Sequence, residues 1–372
     1  MSGKIRVLVV DDSALIRQII VDNIEATTDL EVAGVATDGA HALAIFDETR
    51  PDVVTLDIQM PKMDGLETLD ALLARRPLPV VMVSAQTRLG ADITLEALER
   101  GAIDYVAKPD GARNAEVTLR DELLRKIRSV AGTDLKRVLE IRKRRAERRK
   151  ERREQAPLSK TASSSPIAAI PLDLNDKCIA LGISTGGPPA LTLLFENLVP
   201  PLPPLVIVQH MPQHFTRQFA DRLNSISRLS VKEAETGDVL EPNHAYIAQG
   251  GQHLEIRKQG RSGKLLVRDG DPVSGHRPSV DVMMKSAALV FGSRCLGVIM
   301  TGMGRDGSDG CAAIRAVGGY VLGQDEATSD VYGMNKVAFN EGNVDRQFGL
   351  DEAAGTLMQQ VKRMWSPMLA SV

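Results

Sequence analysis

Cysteine is scarce: the chain has three in 372 residues, Cys178, Cys295 and Cys311. They are too scattered for a disulfide framework, and none lies in a C-x-x-C pair or at ligand spacing from a histidine. A reducing compartment is therefore expected. Long apolar runs are missing too. Nowhere do about 20 apolar residues follow one another, and the opening MSGKIRVLVVDD ends its one short apolar run on two aspartates. Neither a membrane span nor a secretory signal is expected, and the chain reads as cytoplasmic with no membrane insertion. Net charge is only -2, so the whole-molecule field selects neither nucleic acid nor an acidic substrate.

What is present is an ordinary globular mixture, 43% hydrophobic and 25% charged, in a chain too long for one domain. Residues 1–130 alternate five apolar strands with five amphipathic helical stretches, beginning IRVLVV, SALIRQIIVDNI, EVAGVA. This alternation predicts a doubly wound α/β domain with a parallel sheet, whose ligands sit beyond the carboxyl ends of the strands. Residues 131–175 change character. LKRVLEIRKRRAERRKERRE is followed by the Ser, Ala and Pro tract QAPLSKTASSSPIAAIP, and together they read as a linker. Glu140, Glu147, Glu151 and Glu154 stand among the arginines at spacings that suit a solvated helix. A nucleic-acid-binding arm is the sharper alternative, disfavoured because the run has no aromatics for stacking. Residues 176–370 return to strand and helix alternation, predicting a second α/β domain. HAYIAQG, HLEIRK and GKLLVRDG form its antiparallel β insertion.

In the first domain Asp11 and Asp12 follow strand one and Asp57 ends strand three, so three carboxylates should meet at one end of the sheet. Oxygen donors of this kind suit magnesium, and a carboxylate beside the metal can attack a phosphoryl group. Ser84 closes strand four and Lys108 closes strand five before Pro109, where both could reach phosphoryl oxygens. Any one acidic residue at a strand end is more often a solvated turn residue, but positions on four strand termini in one domain are not readily coincidental. VVDDSALIR, TLDIQMPKMDGLETL, VMVSA and YVAKP resemble the response-regulator receiver family. The resemblance implies Asp57 as phospho-acceptor, Asp11 and Asp12 as magnesium ligands with it, Ser84 as switch hydroxyl and Lys108 as phosphoryl contact. Tyr105 occupies the strand-five place where receivers carry Tyr or Phe, although an aromatic there also serves as core.

In the second domain Gly182-Ile183-Ser184-Thr185-Gly186 fits G-x-S-x-G between a strand and a helix opening on Pro188-Pro189. Such a turn exposes a nucleophilic serine, though a Gly-rich turn also cradles phosphates. The next strand ends in Val208-Gln209-His210, a candidate general base, and a later one runs into Met303-Gly304-Arg305-Asp306, a candidate orienting acid. Alone, His210 is more often a packed histidine and Asp306 a turn or cap residue. Triads are recognised by geometry, not chain order. IALGISTGGPPAL, VIVQHMP, GHRPSVDVM and IMTGMGRDGSDG resemble the CheB methylesterase family.

That resemblance implies a phosphorylation-activated protein-glutamate methylesterase and protein-glutamine deamidase acting on methyl-accepting chemotaxis receptors. Ser184 would be nucleophile, His210 base and Asp306 orienting acid, with Thr185, His276 and Met303 in or near the site. It implies a CheA-type histidine kinase as partner, Mg2+ for receiver phosphorylation and no cofactor for ester hydrolysis. The alternative is a receiver-controlled regulator whose second domain is a partner-binding scaffold, or which acts through its basic arm. Two departures stand out: Met334-Asn335 where the family usually has Met-Pro, and the Arg-rich linker.

Overall fold

A computed structural model of the chain describes residues 3–85, 87–108, 115–155 and 174–365. Pro109 and the Ser, Ala and Pro tract lie outside the described residues.

The first domain is a five-stranded parallel sheet of β1 (Ile5–Val10), β2 (Leu30–Ala36), β3 (Val53–Asp57), β4 (Val80–Ser84) and β5 (Asp104–Ala107), in the order β2-β1-β3-β4-β5. Helices α1 (Ala14–Glu25), α2 (Gly39–Thr49), α3 (Gly65–Arg75), α4 (Arg88–Arg100) and α5 (Ala115–Val130) cover its faces. Strands β3 and β4 are buried throughout because helices pack on both sides, which is why Val, Leu and Met dominate them, with Thr55 the one polar residue before their carboxyl ends. Side chains open several of these helices: Asp64 and Glu67 form a reciprocal capping box on α3, and Ser13, Asp38 and Thr87 cap α1, α2 and α4.

Helix α6 (Leu135–Gln155) is the expected basic helix, but one face of its first turns is buried and not solvated. Leu135 and Val138 are buried in the same core as the first sheet. Leu139 abuts Gly101, where a Cβ would come within 2.9 Å of its Cδ2. The apolar spacing 135, 138, 139 places these residues on one helical face, and that face docks on the first domain.

The second domain is a seven-stranded sheet with parallel pairing throughout, ordered β14-β13-β12-β6-β7-β9-β8. Its strands are β6 (Cys178–Ile183), β7 (Leu205–Gln209), β8 (Ser230–Glu233), β9 (His244–Ile247), β12 (Cys295–Ile299), β13 (Tyr320–Gln324) and β14 (Arg346–Phe348). Among the described residues, only β10 (His253–Gln259) and β11 (Ser262–Arg268) form an antiparallel hairpin. HAYI, expected within the antiparallel insertion, is instead inserted in parallel between β7 and β8. Three of its four residues are buried, as a strand covered on both faces requires. Helices α7 (Gly187–Asn197), α8 (Thr216–Ile226), α9 (Val280–Phe291), α10 (Ser308–Ala316), α11 (Met334–Asn340) and α12 (Ala353–Trp365) complete the layers. Among the described residues no helix is long and apolar enough to cross a membrane.

Candidate active site and phospho-acceptor centre

Strands β6, β7 and β12 are adjacent and parallel, so their carboxyl ends open on one edge of the sheet. Ser184 leaves β6, with its N–H donating to Thr301 O, and Gly186 turns the chain into α7 at φ 77°, a left-handed conformation suited to glycine. A Cβ on Gly302 would lie 2.7 Å from Ser184 Cβ, so the chain after β12 presses directly on the serine. His210 follows β7. Its Nδ1 lies 3.0 Å from Ser184 Oγ and its Nε2 lies 2.9 Å from Asp306 Oδ2. Ser184, His210 and Asp306, predicted on three strand ends, therefore form one continuous array.

Asp306 is fully buried, yet well bonded. Oδ1 accepts from Ser279 Oγ at 2.8 Å and Asp281 N–H at 3.0 Å, and Oδ2 accepts from Val280 N–H at 2.8 Å beside His210. Burial works to raise its pKa, but the hydrogen bond and charge of His210 and the backbone donors hold it well below the usual carboxylate range. An ionised Asp306 accepts from His210 Nε2–H and so fixes the ring's orientation and tautomer, which leaves Nδ1, the nitrogen facing Ser184, as the acceptor.

His276 also joins the site, its ring stacked on His210 with centroids 3.8 Å apart. Its Nδ1 donates to Ser274 O, so Nε2 is the acceptor, and the guanidinium of Arg125 sits against it. Burial first, then the neighbouring charges of His210 and Arg125, push its pKa down to about 2. Met303 comes next after Gly302. The Gly302 N–H is already bonded to Val331 O, so it cannot serve an oxyanion. Thr185 Oγ1 donates to Asp104 Oδ2 at 2.5 Å.

Asp104 and Arg125 belong to the first domain, which lies across this site. The Tyr105 ring packs on Phe215 with centroids 4.9 Å apart. Buried Lys126 pairs with Asp104 at 3.0 Å and Glu122 at 2.9 Å, and donates to Tyr105 O. Burial alone would lower its pKa, but the two carboxylates raise it. Helix α6 adds Arg142, bonded to Asp330 at 2.5 Å and to Leu98 O at 2.8 Å, and Arg137, bonded to Glu326 O. Arg222 on α8 pairs with Glu99 on α4. No local motif announced these contacts.

At the carboxyl end of the first sheet, carboxylate oxygens of Asp11, Asp12 and Asp57 lie within 4.8 Å of one another. Lys108 Nζ reaches Asp11 at 2.9 Å and Asp57 at 2.8 Å. Burial raises Asp57 to about 6 against the pull of Lys108, and burial also pushes Asp11 above the usual carboxylate value. Closely spaced carboxylates that resist ionisation are hard oxygen donors short of positive charge, which a divalent cation supplies. The hydrogen bonds of Ser84 Oγ run to Thr94 Oγ1, Gly90 O and Ala85 O, turning the hydroxyl toward α4.

A carboxylate cluster with a lysine at the carboxyl end of one parallel sheet, and a Ser–His–Asp array at the carboxyl end of the other, define the class: a receiver joined to a serine hydrolase. The family model of the response regulator receiver domain matches residues 7–119, and that of CheB methylesterase matches residues 179–357. The chain belongs to the CheB methylesterase family. It is 42% identical to the protein-glutamate methylesterase/protein-glutamine glutaminase of Pectobacterium atrosepticum over 361 residues, 96% of this chain and 97% of that protein. It is 41% identical to those of Escherichia coli K12 over 360 residues, 96% and 97%, and of Pyrococcus horikoshii over 364 residues, 97% and 95%.

Proposed function

We propose that the chain is a phosphorylation-activated protein-glutamate methylesterase and protein-glutamine deamidase acting on methyl-accepting chemoreceptors in the cytoplasm. The observation that carries this reading is the array Ser184–His210–Asp306, with 3.0 and 2.9 Å separations, in a chain 42% identical to an enzyme of that name. Ser184 Oγ attacks the γ-ester carbonyl as its proton passes to His210 Nδ1, and Asp306 stabilises the imidazolium. His210 returns that proton to the departing methoxide as methanol. Water then attacks the acyl enzyme, giving its proton to His210, and the glutamate carboxylate leaves as Ser184 is restored. Amide N–H groups from Met303 onward are the proposed oxyanion donors.

The contacts of Asp104 and Arg125 with Thr185 and His276 correspond to a closed state in which the first domain denies substrate access. Phosphorylation of Asp57 by a CheA-type histidine kinase would favour the open one. Asp11, Asp12 and Asp57 would hold the Mg2+ needed for that step, which supplies charge neutralisation for the incoming phosphoryl group. Lys108 would contact the phosphoryl oxygens and Ser84 Oγ would swing from Thr94 toward them. The test is methanol release from methylated receptor membranes by wild type and Ser184→Ala, with and without a phosphodonor and Mg2+. Release that rises with phosphodonor and vanishes in Ser184→Ala is expected; no release from any methylated receptor would overturn the substrate assignment.

A further inference from the structure

Asp281 lies in the first turn of α9 and is 1% exposed, an expensive place for a carboxylate without a task. Its Oδ1 accepts two backbone N–H groups of the neighbouring helix start, Gly307 at 2.9 Å and Gly310 at 2.7 Å. Helix α10 has no side-chain cap of its own, because Gly307 stands at its N-cap. Asp306, just before α10, in turn accepts the N–H groups of Val280 and Asp281 that open α9. The two helix starts thus exchange carboxylates, each acid satisfying donors that its partner's helix leaves unpaired. A Cβ at Gly310 would lie 2.6 Å from Met284 Cβ, so glycine permits the close approach. Asp281 Oδ2 also faces Ser274 Oγ at 3.5 Å, and Ser274 O accepts from His276 Nδ1.

We infer that Asp281 is the positioning residue of the hydrolytic site, holding both the turn that carries Asp306 and the turn that carries His276 in register with His210. This rests on the assignment of Ser184, His210 and Asp306 made above. Its carboxylate is confronted by Asp306, by Lys285 on its own helix, and by Asp309 and the buried Cys311 thiol on α10. Burial and the charge of Asp306 raise it to about 6, so it is mostly ionised at neutral pH and adds negative potential behind the imidazole.

The test uses the full-length chain with phosphodonor and Mg2+, measuring the rate at which a fluorophosphonate phosphonylates Ser184, with loss of fluoride, between pH 5.5 and 8.5, alongside methanol release. Asp281→Ala frees the Asp306 turn and should slow phosphonylation roughly tenfold to hundredfold, the scale of a misplaced catalytic group. Asp281→Asn keeps an oxygen for Gly307 and Gly310. It should be phosphonylated within about threefold of wild type at neutral pH, with its acid limb moved to lower pH by some tenths of a unit because a buried negative charge is gone. An Asp281→Ala protein that is folded and is phosphonylated at the wild-type rate overturns the inference. Should that variant not fold, an Asp281→Asn profile superimposable on wild type does the same. Wild type that is phosphonylated but releases no methanol refutes only the substrate assignment, and wild type that is not phosphonylated refutes both.

Discussion

Replacing Arg142 with alanine tests whether α6 helps hold the closed state. Arg142 rides on the first domain through Leu135, Val138 and Leu139, and its guanidinium grips Asp330 of the second domain at 2.5 Å. The two side chains are 15% and 9% exposed, so water screens the pair poorly. A hydrogen bond to a charged group contributes about 1.5–3 kcal/mol, and every 1.4 kcal/mol is tenfold in an equilibrium constant. The closed-to-open ratio should therefore fall roughly tenfold to hundredfold, and the methanol release rate without phosphodonor should rise by up to that factor. The rate with phosphodonor should stay within about twofold, because Arg142 lies outside the Ser184 array. The assay is initial methanol release from methylated receptor membranes in both conditions, with circular dichroism to establish folding. An unchanged basal rate in a folded Arg142→Ala protein refutes the argument, and so does an equal rise in both conditions.

Gly302→Ala should lower the rate at which a fluorophosphonate phosphonylates Ser184 at least tenfold, since its Cβ would stand 2.7 Å from Ser184 Cβ and 3.2 Å from Ser184 N, which cannot yield as a flexible side chain can; labelling at the wild-type rate would contradict this. Asp57 has a folded-state pKa of about 6, above the ordinary 3.8, so its neutral form stabilises the fold at low pH and that contribution is lost as pH rises through 6. Mg2+ should offset the loss, and the rise in melting temperature at millimolar Mg2+ should be larger at pH 7.5 than at pH 5 and smaller in Asp57→Asn. A pH-independent shift would place the cation elsewhere.

Residues that follow a strand within one motif were legible, because a parallel sheet converts chain position at a strand end into position at the site. Ser184, His210 and Asp306 on one sheet and Asp11, Asp57 and Lys108 on the other were found in that way. Asp104, Arg125, Arg142 and Asp330 were not, since their partners lie on another domain and a contact between domains leaves no periodicity in either segment. Asp281 within GHRPSVDVM carries no signal of its own in the sequence, because a carboxylate in the first turn of a helix ordinarily needs no explanation. The apolar positions of α6 were visible in principle and were outweighed by its arginines. Asn335, noted as a departure, donates to Gln324 O and Ser329 Oγ, tying the end of β13 to the following loop. A proline there could make neither bond.

Strand β5 carries Asp104 at its start and runs directly into Lys108. At about 3.3 Å per residue these lie roughly 13 Å apart on one piece of backbone. The lysine paired with Asp57 and the carboxylate that accepts from Thr185 are therefore two ends of the same rod. A message from the phosphoryl group to the hydrolytic site has no relay of loops to cross. The short segment between them is the place where substitutions should scramble signalling while sparing both chemistries.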